Sequence, residues 1–290
     1  MSAEALRFSV VVPVYNEESA IGPLLEKLFS SLKNLAAEII VVDDASSDKS
    51  PELLERYVRE GKIKLVRHNL NRGYGAAIKS GLRAAGSDKI LILDGDGSYS
   101  PENIPALIPV SGKAEMVIAA RKSGFKIEPL TRRFFKWLVL KLLHYLAGIQ
   151  VPDLNSGMRI FNKNIAAKYL SLLPDGFSFT STLSLIFLSE GYPVEYVDID
   201  YQPRQGKSKF RLRELNSLSL LVLRTIMYFN PLKFFIPLSV FLAALALFLA
   251  LFSIFALGKF MDVTTVVILL SAMQIFILGL LADLLLRLRK

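Results

Sequence analysis

Two carboxylates one residue apart, Asp94 and Asp96, stand at the end of the apolar run 90–93 in ILILDGDGSYSP. Gly95 and Gly97 flank them, and Ser98, Tyr99, Ser100 and Pro101 follow. The apolar run reads as a buried strand of a parallel sheet. Ligands of open α/β sheets sit just beyond the carboxyl ends of such strands. Two acids at that place can hold a hard divalent cation through oxygen, as Mg²⁺ is commonly shared between one or two carboxylates and substrate phosphates. Asp and Gly are equally the ordinary residues of an exposed turn. A second set of charges lies in PRQGKSKF, where Arg204, Lys207 and Lys209 surround Gly206 and Ser208. Such a loop suits phosphate groups, and it also suits a solvated surface.

The elements that must position these residues alternate along the first half of the chain. Short β-branched or apolar runs at 8–14, 38–42, 63–67, 89–93 and 116–120 read as strands, with helices expected at 21–32, 51–58, 76–85 and 101–107. Asp48 or Ser50 suits the N-cap of the second helix. Regular alternation argues an α/β fold with a mostly parallel sheet. Polar clusters follow three of these strands: YNEE after Val14, DDASSD after Val42 and DGDG after Leu93. Their convergence on one sheet edge points to a site. Gly73-Tyr74-Gly75 begins a G-x-G pattern, but Ile78 replaces the third glycine and the stretch follows the third strand, which argues against a dinucleotide-binding domain.

Further on, 131–148 (TRRFFKWLVLKLLHYLAG) is a basic, aromatic helical stretch that reads as interfacial or as a core helix. A loop at 152–157, a strand at 158–162, helices at 165–173 and 179–190, a strand at 194–200 and a helix at 211–230 are expected next. Residues 234–257 and 263–286 are each longer than the roughly 20 apolar residues that span a bilayer, and the link 258–262 is short, so a helical hairpin is expected. Arg224 and Lys233 precede the first span, and Arg287, Arg289 and Lys290 follow the second. The positive-inside rule then puts both termini and the soluble domain in the cytoplasm. The start MSAEALRF makes a poor signal peptide. The expected division is 1–210 catalytic, 211–230 juxtamembrane and 231–290 hairpin.

The 290 residues are 52% hydrophobic with a net charge of +9 and no cysteine, so thiolate metal sites and disulfides are excluded. The basic balance is spread over membrane-proximal helices and the 204–209 loop, which argues against nucleic-acid binding. His68 and His144 carry no expected role.

Taken in order, VVPVYNEE, VVDDASSD, NRGYGAA, DGDGSYSPE, DLNSGMRIF and RQGKSKF before an apolar hairpin resemble the family 2 glycosyltransferases of GT-A fold. The nearest type is the polyprenyl-phosphate sugar synthases, with dolichyl-phosphate mannose synthase as the familiar example. The resemblance implies that Pro13, Tyr15, Glu17 and Asp44 hold the nucleoside. It implies that Asp94 and Asp96, with Gly95 between them, bind Mg²⁺ or Mn²⁺ and the donor diphosphate, with Ser98 in the third-ligand position where the family often has Gln. Arg121 and Arg132 or Arg133 would meet the acceptor phosphate, Asp153, Ser156, Gly157 and Arg159 would line the acceptor side, and Arg204, Lys207 and Lys209 would close over the phosphates. The expected partners are a nucleotide sugar (GDP-mannose favoured over UDP-glucose), a polyprenyl or dolichyl phosphate, membrane lipid and a further copy of the chain. A lipid phosphate is already an anionic nucleophile and needs positioning more than a general base, so Arg121, Arg204 and Lys207 join the acid pair as the expected catalytic set. A hydroxyl-acceptor transferase would instead need a base where Asp153 stands. A processive polymer synthase would need a QxxRW motif, which the sequence lacks, and a scaffold that only binds would have no use for Asp94 and Asp96.

Overall fold

The computed structural model describes residues 7–121, 137, 141, 144–145, 151–154, 156–199, 227, 230–257 and 263–288. The chain divides into two compact units, Met1–Lys136 with Val151–Leu221, and Trp137–Gln150 with Val222–Lys290.

The first unit is built on a seven-stranded sheet: β1 (Phe8–Val14), β2 (Ala37–Asp43), β3 (Lys64–Arg67), β4 (Lys89–Ile92), β5 (Met116–Arg121), β6 (Arg159–Asn162) and β7 (Val194–Ile199). The spatial order is β3-β2-β1-β4-β6-β5-β7. All of β1 is buried, as a strand covered on both faces requires. It pairs in parallel with β2, Val14 opposite Asp43, and with β4, Val11 opposite Ile92. β6 runs antiparallel to both β4 and β5, while β5 and β7 are parallel. The sheet is therefore mostly parallel with one reversed strand. That reversal brings the start of β6 to the edge where β1, β2, β4 and β5 end.

Helix α1 (Ile21–Leu32) buries Ile21, Leu24, Leu25, Leu28 and Leu32, the one-sided spacing of a helix laid on a sheet. Helix α2 (Ser50–Arg59) begins where the Asp48 carboxylate accepts the Ser50 N–H. Helix α3 (Tyr74–Ala84) lies so close to β1 that a side chain at Gly81 would overlap Val11. A 3₁₀ turn, Pro101–Asn103, leads into α4 (Ile104–Ser111). Helix α5 (Lys163–Lys168) starts earlier than the apolar spacing predicts, because Asn162 Oδ1 accepts the N–H groups of Asn164 and Ile165 as its N-cap, and it also ends earlier. Helix α6 (Phe179–Ser189) is buried along most of its length.

In the second unit α7 (Pro231–Leu257) and α8 (Val263–Leu288) are long, almost wholly apolar helices. At 1.5 Å per residue, 27 residues extend about 40 Å, enough for a tilted crossing of a hydrocarbon core of about 30 Å. Small residues mark their buried faces: Ala246, Ala272 and Ala282 are buried, and a Cβ on Gly279 would stand 2.6 Å from that of Phe235. Phe241, Phe248, Leu270 and Leu285 are exposed, the pattern of helices that face lipid instead of water. At the foot of α7, Tyr145 Oη donates to the Lys233 carbonyl at 3.2 Å, and the Lys233 ammonium lies 6.0 Å from the Tyr145 ring centre. Trp137, also in this unit, has Lys141 over its ring at 5.5 Å. The rest of the expected 131–148 helix, the 211–230 helix apart from Met227 and Asn230, and the 258–262 link lie outside the described residues.

Candidate active site

The edge formed by the strand ends is knitted together by backbone-to-side-chain bonds. After β1 the chain turns through Asn16, whose φ of 56° is left-handed, a conformation Asn tolerates. Asn16 Oδ1 accepts the Ser47 N–H at 2.8 Å, and its own N–H donates to Ser46 Oγ. The Glu17 N–H donates to Ser50 Oγ, the Glu18 N–H to Asp48 Oδ2, and the Lys49 N–H back to Glu18 Oε2. The loops after β1 and β2 are thus one layer. Tyr15 projects from it, 48% exposed.

Asp44 lies just past β2 and is buried. Its carboxylate accepts the N–H groups of Arg72 and Gly73 at 2.9 and 2.8 Å, and His68 Nδ1 lies 2.6 Å from Oδ1. Ser80 Oγ holds the other ring nitrogen of His68 at 2.8 Å. Asp44 therefore fixes the turn that opens α3, and His68, to which no role was expected, is the group that completes its shell.

Asp94 and Asp96 follow β4, both half-buried. Gly95 packs on β1, where an added Cβ would stand 2.6 Å from the Pro13 carbonyl oxygen. Gly157 packs on Asp94 itself, and a side chain there would overlap the carboxylate. The Tyr74 hydroxyl donates to Asp94 Oδ1 at 2.6 Å. The Ser98 N–H donates to Asp96 Oδ1 at 3.0 Å, and Ser98 is buried. Burial pushes the Asp94 carboxyl up to about 6, and the charge of Asp96 adds to the push; the Tyr74 hydrogen bond, Arg159 and Arg121 act in the opposite direction. Burial likewise raises the Tyr74 phenol well above its ordinary range and the Tyr99 phenol to about 12. Tyr99 Oη accepts the Gly157 N–H at 2.9 Å, which ties the DGDGSY turn to the segment before β6.

Arg121, the last residue of β5, meets Asp153 in a two-pronged ion pair, Nε to Oδ2 at 2.6 Å and Nη2 to Oδ1 at 2.9 Å. Asp153 is buried while Arg121 keeps partial exposure, so the pair presents an oriented guanidinium. Arg159, expected to line the acceptor side, is enclosed instead. It is fully buried and donates to the carbonyls of Thr180 and Ser156 and to Ser184 Oγ. Every donor direction is spent on α6 and the segment before β6, so its guanidinium braces this wall and acts on Asp94 only through its charge. Ser156 is buried in the same turn. Arg132, Arg133, Arg204, Lys207 and Lys209 lie outside the described residues.

Pro13, Glu17, Asp44, Asp94, Asp96, Ser98, Arg121, Asp153, Ser156 and Gly157 thus gather at one sheet edge. Tyr74, Tyr99 and His68 belong with them; Tyr74 and Tyr99 lie within the NRGYGAA and DGDGSYSPE motifs, but no pattern of spacing marks which side chain of a motif meets the acid pair. The donor set of the acid pair fits a hard divalent cation. It is all oxygen, two like charges raise the cost of leaving it empty, and glycines at 95 and 157 keep side chains out of it. Among the described residues no group of three or more His, Cys, Asp or Glu could hold a metal by itself.

Comparison with known proteins bears on what such an edge does. Residues 9–170 match the model of Glycosyl transferase family 2, and residues 230–288 match that of the GtrB C-terminal hairpin. The chain is 27% identical to a dodecaprenyl-phosphate galacturonate synthase of Rhizobium johnstonii, over 98% of this chain and 89% of that protein. It is 29% identical to an undecaprenyl-phosphate 4-deoxy-4-formamido-L-arabinose transferase of Photorhabdus laumondii, over 75% of this chain and 67% of that one. Among solved structures, glucosyl-3-phosphoglycerate synthase of Mycobacterium tuberculosis with Mn²⁺, UDP and its product superposes with a TM-score of 0.56 at 20% identity, covering 77% of this chain and 78% of that one. At that identity the likeness shows the fold.

Proposed function

The chain belongs to glycosyl transferase family 2, and from that membership we propose that it moves a sugar from a nucleotide donor to a polyprenyl phosphate in the membrane. The observation that carries this reading is the extent of one relationship. A relative named for synthesis on dodecaprenyl phosphate aligns with 98% of this chain, transferase unit and hairpin alike.

In this reading the layer formed by Tyr15, Glu17 and the Asp44 turn holds the nucleoside. Asp94 and Asp96, with Ser98 beside them, would hold Mg²⁺ or Mn²⁺. A cation bound there offsets the charge that develops on the leaving diphosphate. Arg204, Lys207 and Lys209 supply further positive charge to the same phosphates. Arg121, oriented by Asp153, receives the acceptor phosphate together with Arg132 or Arg133. With two anions brought together, the residues needed are those that neutralise and align. An acceptor phosphate oxygen attacks the anomeric carbon as the bond to the diphosphate oxygen breaks, in one inverting displacement. No proton needs removing, and Asp153, committed to Arg121 in a two-pronged pair, is poorly placed to act as the base that a hydroxyl acceptor would need.

The hairpin anchors the chain in the bilayer that holds the acceptor, with both ends on the cytoplasmic face. The relatives named above act with galacturonate and a formamido-arabinose, so the reading stops at the sugar class; GDP-mannose and UDP-glucose are two arms of the test. Purified full-length protein is incubated with undecaprenyl or dolichyl phosphate, or in a separate arm with free polyprenol, together with Mg²⁺ or Mn²⁺ and labelled GDP-mannose, UDP-glucose and nucleotide-linked galacturonate and formamido-arabinose. The expected product is butanol-extractable and acid-labile, and Asp96→Ala abolishes nearly all of it. If no donor labels the lipid, the reading is wrong; an acid-stable product formed on free polyprenol in its place marks a hydroxyl-acceptor enzyme.

A further inference from the structure

Tyr74 stands between two glycines at the first residue of α3. Its hydroxyl donates to Asp94 Oδ1 at 2.6 Å, a short charge-assisted bond. The other carboxylate oxygen lies against Gly157, where a Cβ has no room. Asp94 is thus held by a donor on one side and fenced by backbone on the other. A carboxylate is otherwise broadly free to turn about its last torsion.

The tyrosine is itself braced. The N–H groups of Gly75 and Ala76 donate to the Asp175 carbonyl at 2.8 and 3.1 Å. Lys79 Nζ holds the same turn through the Leu173 carbonyl at 2.6 Å and Asp175 Oδ1 at 2.7 Å. Gly73 has a φ of 100°, and a Cβ there would stand 2.6 Å from the Asp175 carbonyl oxygen. The glycines of NRGYG therefore serve the docking of this turn on α3. The turn delivers Phe177, whose ring stacks on Tyr74 with centres 5.9 Å apart and planes 18° from parallel. Phe177 is 82% exposed, so burial in a core does not account for its place.

We propose that Tyr74 is a positioning residue for the cation held by Asp94, and that Phe177 is the brace that keeps the Tyr74 ring in register. This rests on the reading of Asp94 as a cation ligand. Groups that orient a ligand from behind typically contribute 10- to 100-fold in metal affinity, because a fixed carboxylate loses less freedom on binding.

The test uses full-length protein in detergent, titrated with Mn²⁺ alone while the signal of the free aqua ion is read by electron paramagnetic resonance. Tyr74→Phe keeps the ring stack and removes the hydroxyl; it should bind Mn²⁺ about tenfold more weakly. Phe177→Ala should weaken binding by a few-fold, and Phe177→Tyr should restore it. In turnover, Tyr74→Phe should lower kcat with KM for polyprenyl phosphate unchanged. Wild-type Mn²⁺ affinity in folded Tyr74→Phe overturns the proposal. Should that variant not fold, wild-type affinity in Phe177→Ala overturns it instead. Asp94→Asn separates the two levels. If it keeps Mn²⁺, the reading of the acid pair fails and this inference with it; if it loses Mn²⁺ while Tyr74→Phe keeps it, only this inference fails.

Discussion

Asp94 is where the electrostatics of the site converge, and it gives the site a pH dependence. Burial and the charge of Asp96 raise its carboxyl from 3.8 to about 6. Between those values the folded chain binds a proton that the unfolded chain has released. The metal-free protein therefore loses stability contributed by this group as pH rises from 3.8 to about 6. A cation must displace that proton, so the sign for binding is opposite. Mn²⁺ affinity should rise about tenfold per pH unit up to about 6 and level off above it. A resonance titration of the full-length protein at several pH values checks this, and a flat profile from pH 5 to 7 would remove Asp94 as the titrating ligand. At this scale the sequence is readable where chemistry leaves a pattern: acids one residue apart after an apolar run stand out. Arg159 also stands out as a cation, but that its donors go to carbonyls of α6 depends on a helix about twenty residues further on, which spacing does not reveal. Tyr74 sits in a visible glycine pattern, but that its hydroxyl meets Asp94 depends on the packing of α3 against the sheet, which spacing does not reveal.

The elements were largely legible because strands covered on both faces must be continuous apolar runs. β1, β2, β4 and β5 announce themselves in this way. The direction of β6 does not, because the run RIF has the same side chains whichever way it is paired. The close approach of α3 to β1 is equally hidden. Gly81 reads as a mildly unfavourable residue inside a helix, yet its place is set by Val11, which a Cβ would overlap. Gly81→Ala should therefore destabilise the transferase unit in spite of better helix propensity, by about 1–3 kcal/mol through overpacking. Chemical denaturation of the variant beside wild type checks the sign. A stabilised variant would mean that the helix can slide away from the sheet at little cost.

For the whole molecule the telling feature is the hairpin that ends the chain. Its membrane reading follows from length and composition alone, and long apolar helices, Pro231–Leu257 and Val263–Leu288, occupy the two stretches expected to span. Orientation is testable because the sequence contains no cysteine. Lys259→Cys, in the link, should react with a membrane-impermeant maleimide in intact cells. Lys290→Cys should react only after permeabilisation, and the reverse pattern would place the transferase unit on the other face. The reversed strand has a consequence of another kind, in the order of assembly. β1 to β4 can pair among themselves as soon as residue 92 has left the ribosome, but β5 joins the sheet only through β6. Until residues 159–162 arrive, one side of β4 is a bare edge, open to the wrong partner. Gly157 comes with that same strand, so the wall behind Asp94 is completed only when the edge is covered. A partly made chain thus keeps this side of β4 exposed until β6 arrives, and the strand that covers it also brings the wall behind Asp94.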